Sequence, residues 1–150
     1  MEKITSSYIG LAGLFNKNSA PKVNKFERGY VYVLRLSNDY TKIGCSADPY
    51  TRLSCLKRGL RSTDVELGEL WISCSHINFK DNEKLILAML DSKKKDGEFF
   101  QVPFNEAVEF VENLEVKTKF TLEELQAKEE SRMSFVTALD DLHELSRKNK

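Results

Sequence analysis

Disulfides, membrane spans and net charge are all missing from this sequence, and each absence narrows what the chain can be. Its 150 residues hold three cysteines, Cys45, Cys55 and Cys74, an odd and scattered set. Such a set builds no disulfide framework and suits a reducing compartment, so the expected location is cytoplasmic. No stretch approaches the roughly 20 apolar residues that cross a bilayer, so no membrane association is expected. Met1 to Leu14 carries no basic segment followed by an apolar run, so no secretory signal is expected either. No internal repeat occurs. What is there is room for one domain of ordinary size with a helical extension. The chain is 41% hydrophobic and 31% charged, which suits a compact domain with a polar surface.

The zero net charge is a sum of two unlike segments. From Tyr40 to Ser62 the bases Lys42, Arg52, Lys57, Arg58 and Arg61 stand against the single acid Asp48. From Asn105 to Glu130 eight acids stand against Lys117, Lys119 and Lys128. Two readings stand for the basic segment: a solvated face, and a local phosphate-binding surface.

The pattern predicts three regions: an N-terminal preamble and linker over 1–27, a folded domain over 28–114, and a helical C-terminal extension over 115–150. In the preamble, Tyr8, Ile9, Leu11, Leu14 and Phe15 suggest a short apolar helix face, and Asn16 to Lys25 with Pro21 reads as a linker. Tyr30 to Leu36 is β-branched and aromatic, Ser37-Asn38-Asp39 is a turn cluster, and Tyr40 to Cys45 returns as a second strand, so the pair reads as a hairpin. The nearly continuous apolar run of the first strand predicts a central, doubly buried position. Asp48-Pro49 opens a helix with Leu53, Leu56 and Leu60 as its stripe. A third strand is expected over Val65 to Ser73, and a second helix from Asp81 or Asn82 to Leu90. Lys93 to Gly97 reads as a polar turn, and Phe99, Phe100, Val102 and Phe104 as an extended apolar piece. Asn105 would cap a third helix, and Thr121 opens the tail helix with capping-box spacing to Glu124. The expected fold is α+β: a small three-stranded, mainly antiparallel sheet flanked by helices, in the order β-β-α-β-α-α.

Gly29-Tyr30-Val31-Tyr32-Val33-Leu34, then Lys42-Ile43-Gly44, then Asp48-Pro49 with Arg52-Leu53, resembles the GIY-YIG nuclease superfamily, and within it the Orf-type branch common in phages and large DNA viruses. Glu83-Lys84-Leu85-Ile86-Leu87 and Glu98-Phe99-Phe100 occupy the places of the branch's later Glu-x-x-x-His and Glu-Trp-Phe-like segments. The resemblance spans about Arg28 to Leu114. It implies a metal-dependent endonuclease acting on DNA, with Tyr32, Lys42, Arg52 and Glu83 as the catalytic set. Two departures stand out: Leu87 replaces the branch His, and Tyr30 occupies the position of the Gly in the GIY triplet, with Gly29 just before it.

The chemistry of these residues is compatible with that role. Phosphodiester hydrolysis needs an activated water, positive charge against the developing phosphorane and usually a divalent metal. Lys42 is a point charge suited to phosphate or, with a lowered pKa, to water activation. Arg52 in the first turn of a helix offers a planar fork where free N–H groups already favour an anion. Glu83 supplies one hard oxygen for Mg²⁺ or Mn²⁺. Each residue also has an ordinary structural explanation, as strand aromatic, surface charge or helix Glu. An alternative function is an eroded, non-cutting DNA-binding module using Lys57, Arg58 and Arg61. A third is a small regulatory or counter-defence interaction protein, with Phe135, Leu139 and Leu142 as a docking or homodimer stripe of the C-terminal helix; the same side with Val136 equally suits a helix packed back on the domain. Cys74-x-His76 lacks the paired Cys-x-x-Cys spacing of a zinc site, and His76 replaces the missing branch His only if the fold brings it in.

Overall fold

A computed structural model describes residues 2–21, 28–38, 40–90, 94–96 and 99–148, with the backbone alone at 94–96 and 147–148. The elements run β1 (Glu2–Lys3), β2 (Ser6–Leu11), a 3-10 turn (Ala12–Leu14), β3 (Tyr30–Leu36), β4 (Thr41–Ser46), α1 (Pro49–Leu60), β5 (Leu67–Ser73), α2 (Phe79–Met89), β6 (Lys94–Asp96), β7 (Phe99–Phe100), α3 (Phe104–Glu112), β8 (Glu115–Val116) and α4 (Leu122–Lys148). The chain divides into two compact units, Met1–Thr118 and Lys119–Lys150.

In the first unit a six-stranded sheet has the order β2-β5-β3-β4-β7-β6, every pair antiparallel. The apolar run of β3 puts it at the centre, hydrogen-bonded to β4 on one side and β5 on the other. Because successive strand side chains alternate between faces, β3 divides its residues between two cores. Val31 and Val33 join Ile43, Trp71, Ile86, Phe100, Ala107 and Val111, the face covered by α2 and α3. Tyr30, Tyr32, Leu34 and Leu36 join Leu70, Ile72, Leu53, Ala12 and Phe15, the face covered by α1 and the N-terminal segment. Each such side chain stabilises the fold by roughly 1.5–3 kcal/mol on burial.

The helix starts follow local chemistry. Asp48 accepts the Thr51 backbone N–H at 3.3 Å and the Thr51 hydroxyl at 2.8 Å, with Pro49 in the first helical position. In the second unit, Thr121 Oγ1 accepts the Glu124 N–H at 3.2 Å, the expected capping interaction at the head of α4.

The structure differs from the sequence expectation in four places. The sheet has six strands rather than three, because short pieces at both ends of the domain complete its edges. Where a helix face was expected over Tyr8 to Phe15, residues up to Leu11 form a strand and only Ala12–Leu14 make a 3-10 turn: β2 pairs with β5 from Ser6↔Ser73 to Leu11↔Glu69, so the expected preamble belongs to the same compact unit as the hairpin. The physical reason is alternation, since in Ser6–Leu11 only Tyr8 and Gly10 are partly covered while their neighbours are exposed. Lys94–Asp96 is an edge strand on β7 rather than part of a turn. Finally, α2 and α3 begin at Phe79 and Phe104, slightly before the polar residues expected to start them. Residues 22–27 of the expected linker, Asp39, Lys93, Gly97 and Glu98 lie outside the described residues.

Ile86 is the fully buried residue through which α2 joins the sheet. Replacing it with Ala should cost about 2–5 kcal/mol in urea denaturation. Leu85→Ala, one residue away and exposed, should change stability by less than about 0.5 kcal/mol.

Candidate nucleic-acid interface

The hairpin register sets the geometry of the first two site residues. Tyr32 lies opposite Gly44 and Leu34 opposite Lys42, so Tyr32 and Lys42 share a sheet face as diagonal neighbours, a separation of about 7–8 Å. A Cβ added at Gly44 would overlap the Tyr32 hydroxyl; the phenol therefore lies across the bare backbone of β4. On the other side Tyr32 is opposite Ile72, and Ile72 is opposite Tyr8 of β2. One cross-strand row, Tyr8–Ile72–Tyr32–Gly44, thus runs over four strands. Lys42 is opposite Phe99 of β7, and its Nζ stands 4.9 Å from the centre of that ring. Such a cation–π contact helps offset the cost of burying an ammonium. Tyr32 is fully buried and Lys42 is 4% exposed.

Arg52, Lys57 and Arg58 lie on α1, which covers this same face through Leu53, and Arg61 follows as its C-cap. At 3.6 residues per turn, Arg52 falls on one flank of the Leu53–Leu56–Leu60 stripe. Lys57 and Arg61 fall on the opposite flank, and Arg58 points outward. All four are exposed. Lys57 and Arg61 line a shallow cleft of about 410 Å³ with Gly13, Thr63, Glu66 and Leu67. Arg58 donates to the Cys55 thiol sulfur at 3.4 Å. The basic segment is therefore not one patch: Arg52 is turned away from the cleft that holds Lys57 and Arg61.

Glu83 is half-buried on α2, the helix packed on the other sheet face. It shares a stripe with Ile86 and Leu87, three and four residues on. The structure thus brings Tyr32, Lys42 and Arg52 to one face and puts Glu83 on the helix covering the opposite one.

A model of the T5orf172 domain matches residues 29–115, more than half of the chain. The chain belongs to the T5orf172 domain family. This is a phage-associated domain within a nuclease-related group. No curated protein and no solved structure matches the chain. The T5orf172 match runs from Gly29 to Glu115 and so includes β3 to α3, while β2, the 3-10 turn and Phe15 lie outside it.

Within the T5orf172 domain, His76 is the buried polar residue that sequence reasoning left open. Its backbone bridges Gly29, with Gly29 N to His76 O at 3.1 Å and His76 N to Gly29 O at 3.0 Å. Its Nδ1 donates to the Cys74 carbonyl at 2.9 Å in the neutral tautomer, and its Nε2 is buried without a hydrogen-bond partner. His76 thus lies three residues before α2, whose start at Phe79 is about two turns from Leu87. Among the described residues no group of three or more His, Cys, Asp or Glu gathers to hold a metal. Phe99 as the neighbour of Lys42 was also missed, because only the register of a two-residue strand reveals it.

Two outcomes follow for the T5orf172 domain. Gly44→Ala should displace the Tyr32 ring and cost about 1–3 kcal/mol. Gly59→Ala, with open space at its Cβ inside α1, should be neutral or stabilise by up to about 1 kcal/mol; thermal unfolding of both variants checks the pair. Burial pushes the His76 imidazole below its ordinary value, with the Cys74 carbonyl acting the other way. The unfolded chain therefore takes up a proton near pH 6.5 that the folded chain refuses. The His76 contribution should be complete above about pH 6.5 and decline as the pH falls below it. Chemical denaturation across pH 5–7 should show a slope that His76→Gln reduces.

Proposed function

We propose that this T5orf172 domain is a GIY-YIG-type endonuclease that cleaves DNA phosphodiester bonds with Mg²⁺ or Mn²⁺. The observation that carries the reading is the placement of Tyr32 and Lys42 as diagonal neighbours under the helix bearing Arg52. Tyr32 and Lys42 would orient and help deprotonate the attacking water. Arg52 would hold the scissile phosphate with its planar fork, and Lys57, Arg58 and Arg61 would contact flanking phosphates. Glu83 is the residue that would hold a hydrated hard cation, for one carboxylate suffices when the ion keeps most of its waters. It lies across the sheet from Tyr32, Lys42 and Arg52, so the four residues do not form one metal-containing site in this structure, and Glu83→Ala in the plasmid assay tests whether the ion takes part.

A second reading, a DNA-binding module that does not cut, is favoured by the burial of Tyr32 and by Leu87 in place of the branch His. Arg58, Lys57 and Arg61 need neither residue to bind a strand. A third reading, self-association through α4, draws on the exposed side chains Phe135, Leu139 and Leu142.

Nicking of supercoiled plasmid separates these readings. Metal-dependent cutting that Arg52→Ala and Glu83→Ala each reduce by at least about a hundredfold supports the nuclease. Absence of cutting, with salt-sensitive binding weakened by Lys57→Ala or Arg58→Ala, supports the module; each lost phosphate contact lowers the salt slope by about 0.9. No binding at modest salt, with a size that grows with concentration, supports the third reading.

A further inference from the structure

The residue proposed to act on water has no solvent exposure, and part of the apolar cluster that holds it comes from a chain segment outside the T5orf172 match. Beyond β2 the chain leaves the sheet edge in the 3-10 turn. Ala12 and Phe15 then enter the apolar cluster of Tyr32, Ile72 and Leu53, at 1% and 6% exposure. Phe15 meets Tyr8 edge-on with ring centres 4.8 Å apart, and meets Tyr50 of α1 at 6.3 Å. Tyr8 is the first member of the row that ends in Tyr32 and Gly44. Phe15 therefore bridges from one end of that row to the helix above it. Lys17 follows, its Nζ 6.0 Å from the Tyr50 ring.

The segment is tied down unevenly. β2 pairs with β5 from Tyr8 to Leu11 after a bulge at Ser7, whose Oγ donates to the Ser73 carbonyl at 2.7 Å. Among the described residues the hydrogen bonds of residues 12–20 are local: Phe15 N to Ala12 O at 3.3 Å, and the Asn16–Ala20 turn. Ring and apolar contacts hold this piece to the sheet face. Gly13, with open space where a Cβ would stand, lies between the paired strand and the ring contacts, and glycine carries the widest backbone freedom of any residue. Segments held by few contacts open at lower free energy than the strands beside them.

We propose that residues 12–21 form a strap closing the Tyr32 face, pivoting at Gly13 and latched by Phe15 against Tyr8 and Tyr50, so that a DNA strand reaches Tyr32 and Lys42 only when the latch opens. The regulatory role rests on the nuclease reading; the covering role does not. In the closed state the bases of α1 remain exposed, so the strap separates binding from access to the buried pair.

The test is nitration of the full-length chain by tetranitromethane, with Tyr32 resolved from Tyr30 by fragment mass spectrometry, beside the plasmid assay. Phe15→Ala removes both ring contacts and should raise Tyr32 nitration about tenfold, with a parallel rise in cutting. Phe15→Leu keeps apolar bulk and should give a smaller rise; it serves if the Ala variant does not fold. Unchanged Tyr32 nitration in a folded variant overturns the strap, whatever the cutting. Faster nitration with no cutting by either protein upholds the strap as a cover and removes the nuclease reading.

Discussion

The ring of Tyr32 crosses β4 at Gly44, and much of the domain's order depends on that contact. Only a residue without a side chain admits a phenol there, so the contact ties β3 to β4 in one register. A slip of one residue would turn every side chain of β4 to the other face. Lys42 would then enter the cluster of Val33, Trp71 and Ile86, where a charge is costly to bury. In the observed register the ammonium instead meets the face of Phe99. The same row extends through Ile72 to Tyr8, so the edge strand is aligned by the contact that aligns the hairpin.

The two sheet faces carry different duties. One is a conventional apolar core: Trp71, Ile86, Phe100 and Val111 fill it beneath α2 and α3, with the Trp71 indole donating to Glu112 at 3.2 Å. The other mixes aromatic rings, a buried lysine and a helix whose outer surface is basic. Polar groups and rings pack there less economically than aliphatic side chains, and residues at functional sites commonly depart from local rules in this way. That asymmetry is independent of any resemblance and agrees with membership of a nuclease-related group.

The strands and helices of the central domain were largely legible in the sequence because each has a local cause. Asp48-Pro49 starts α1 by capping chemistry, the apolar run of β3 requires cover on both sides, and Thr121 caps α4. What was not legible depends on long-range pairing. Ser6–Leu11 is a strand only because β5 offers it an unpaired edge some 60 residues later in the chain. Phe99 meets Lys42 only because β7 docks on β4. For the site, the shared face of Tyr32 and Lys42 was within reach of alternation once the hairpin was drawn. The placement of Glu83 across the sheet was not, since helix periodicity says which residues share a stripe and nothing about which layer the stripe covers.

The distribution of charge on α1 bears on how the proposed activities relate. Arg52 and Arg61 are nine residues apart, about 13 Å along the helix, and occupy opposite flanks. A single extended strand following one flank would meet Lys57 and Arg61 without approaching Arg52. Contact with all three requires a path across the outward face, past Arg58, which a duplex with phosphates on two strands offers more readily than one strand does. Binding of that kind leaves Tyr32 and Lys42 covered. On the proposed reading, affinity for DNA and its hydrolysis would depend on different parts of the same face: the first on cations already in solvent, the second on uncovering a ring that the fold holds in its core.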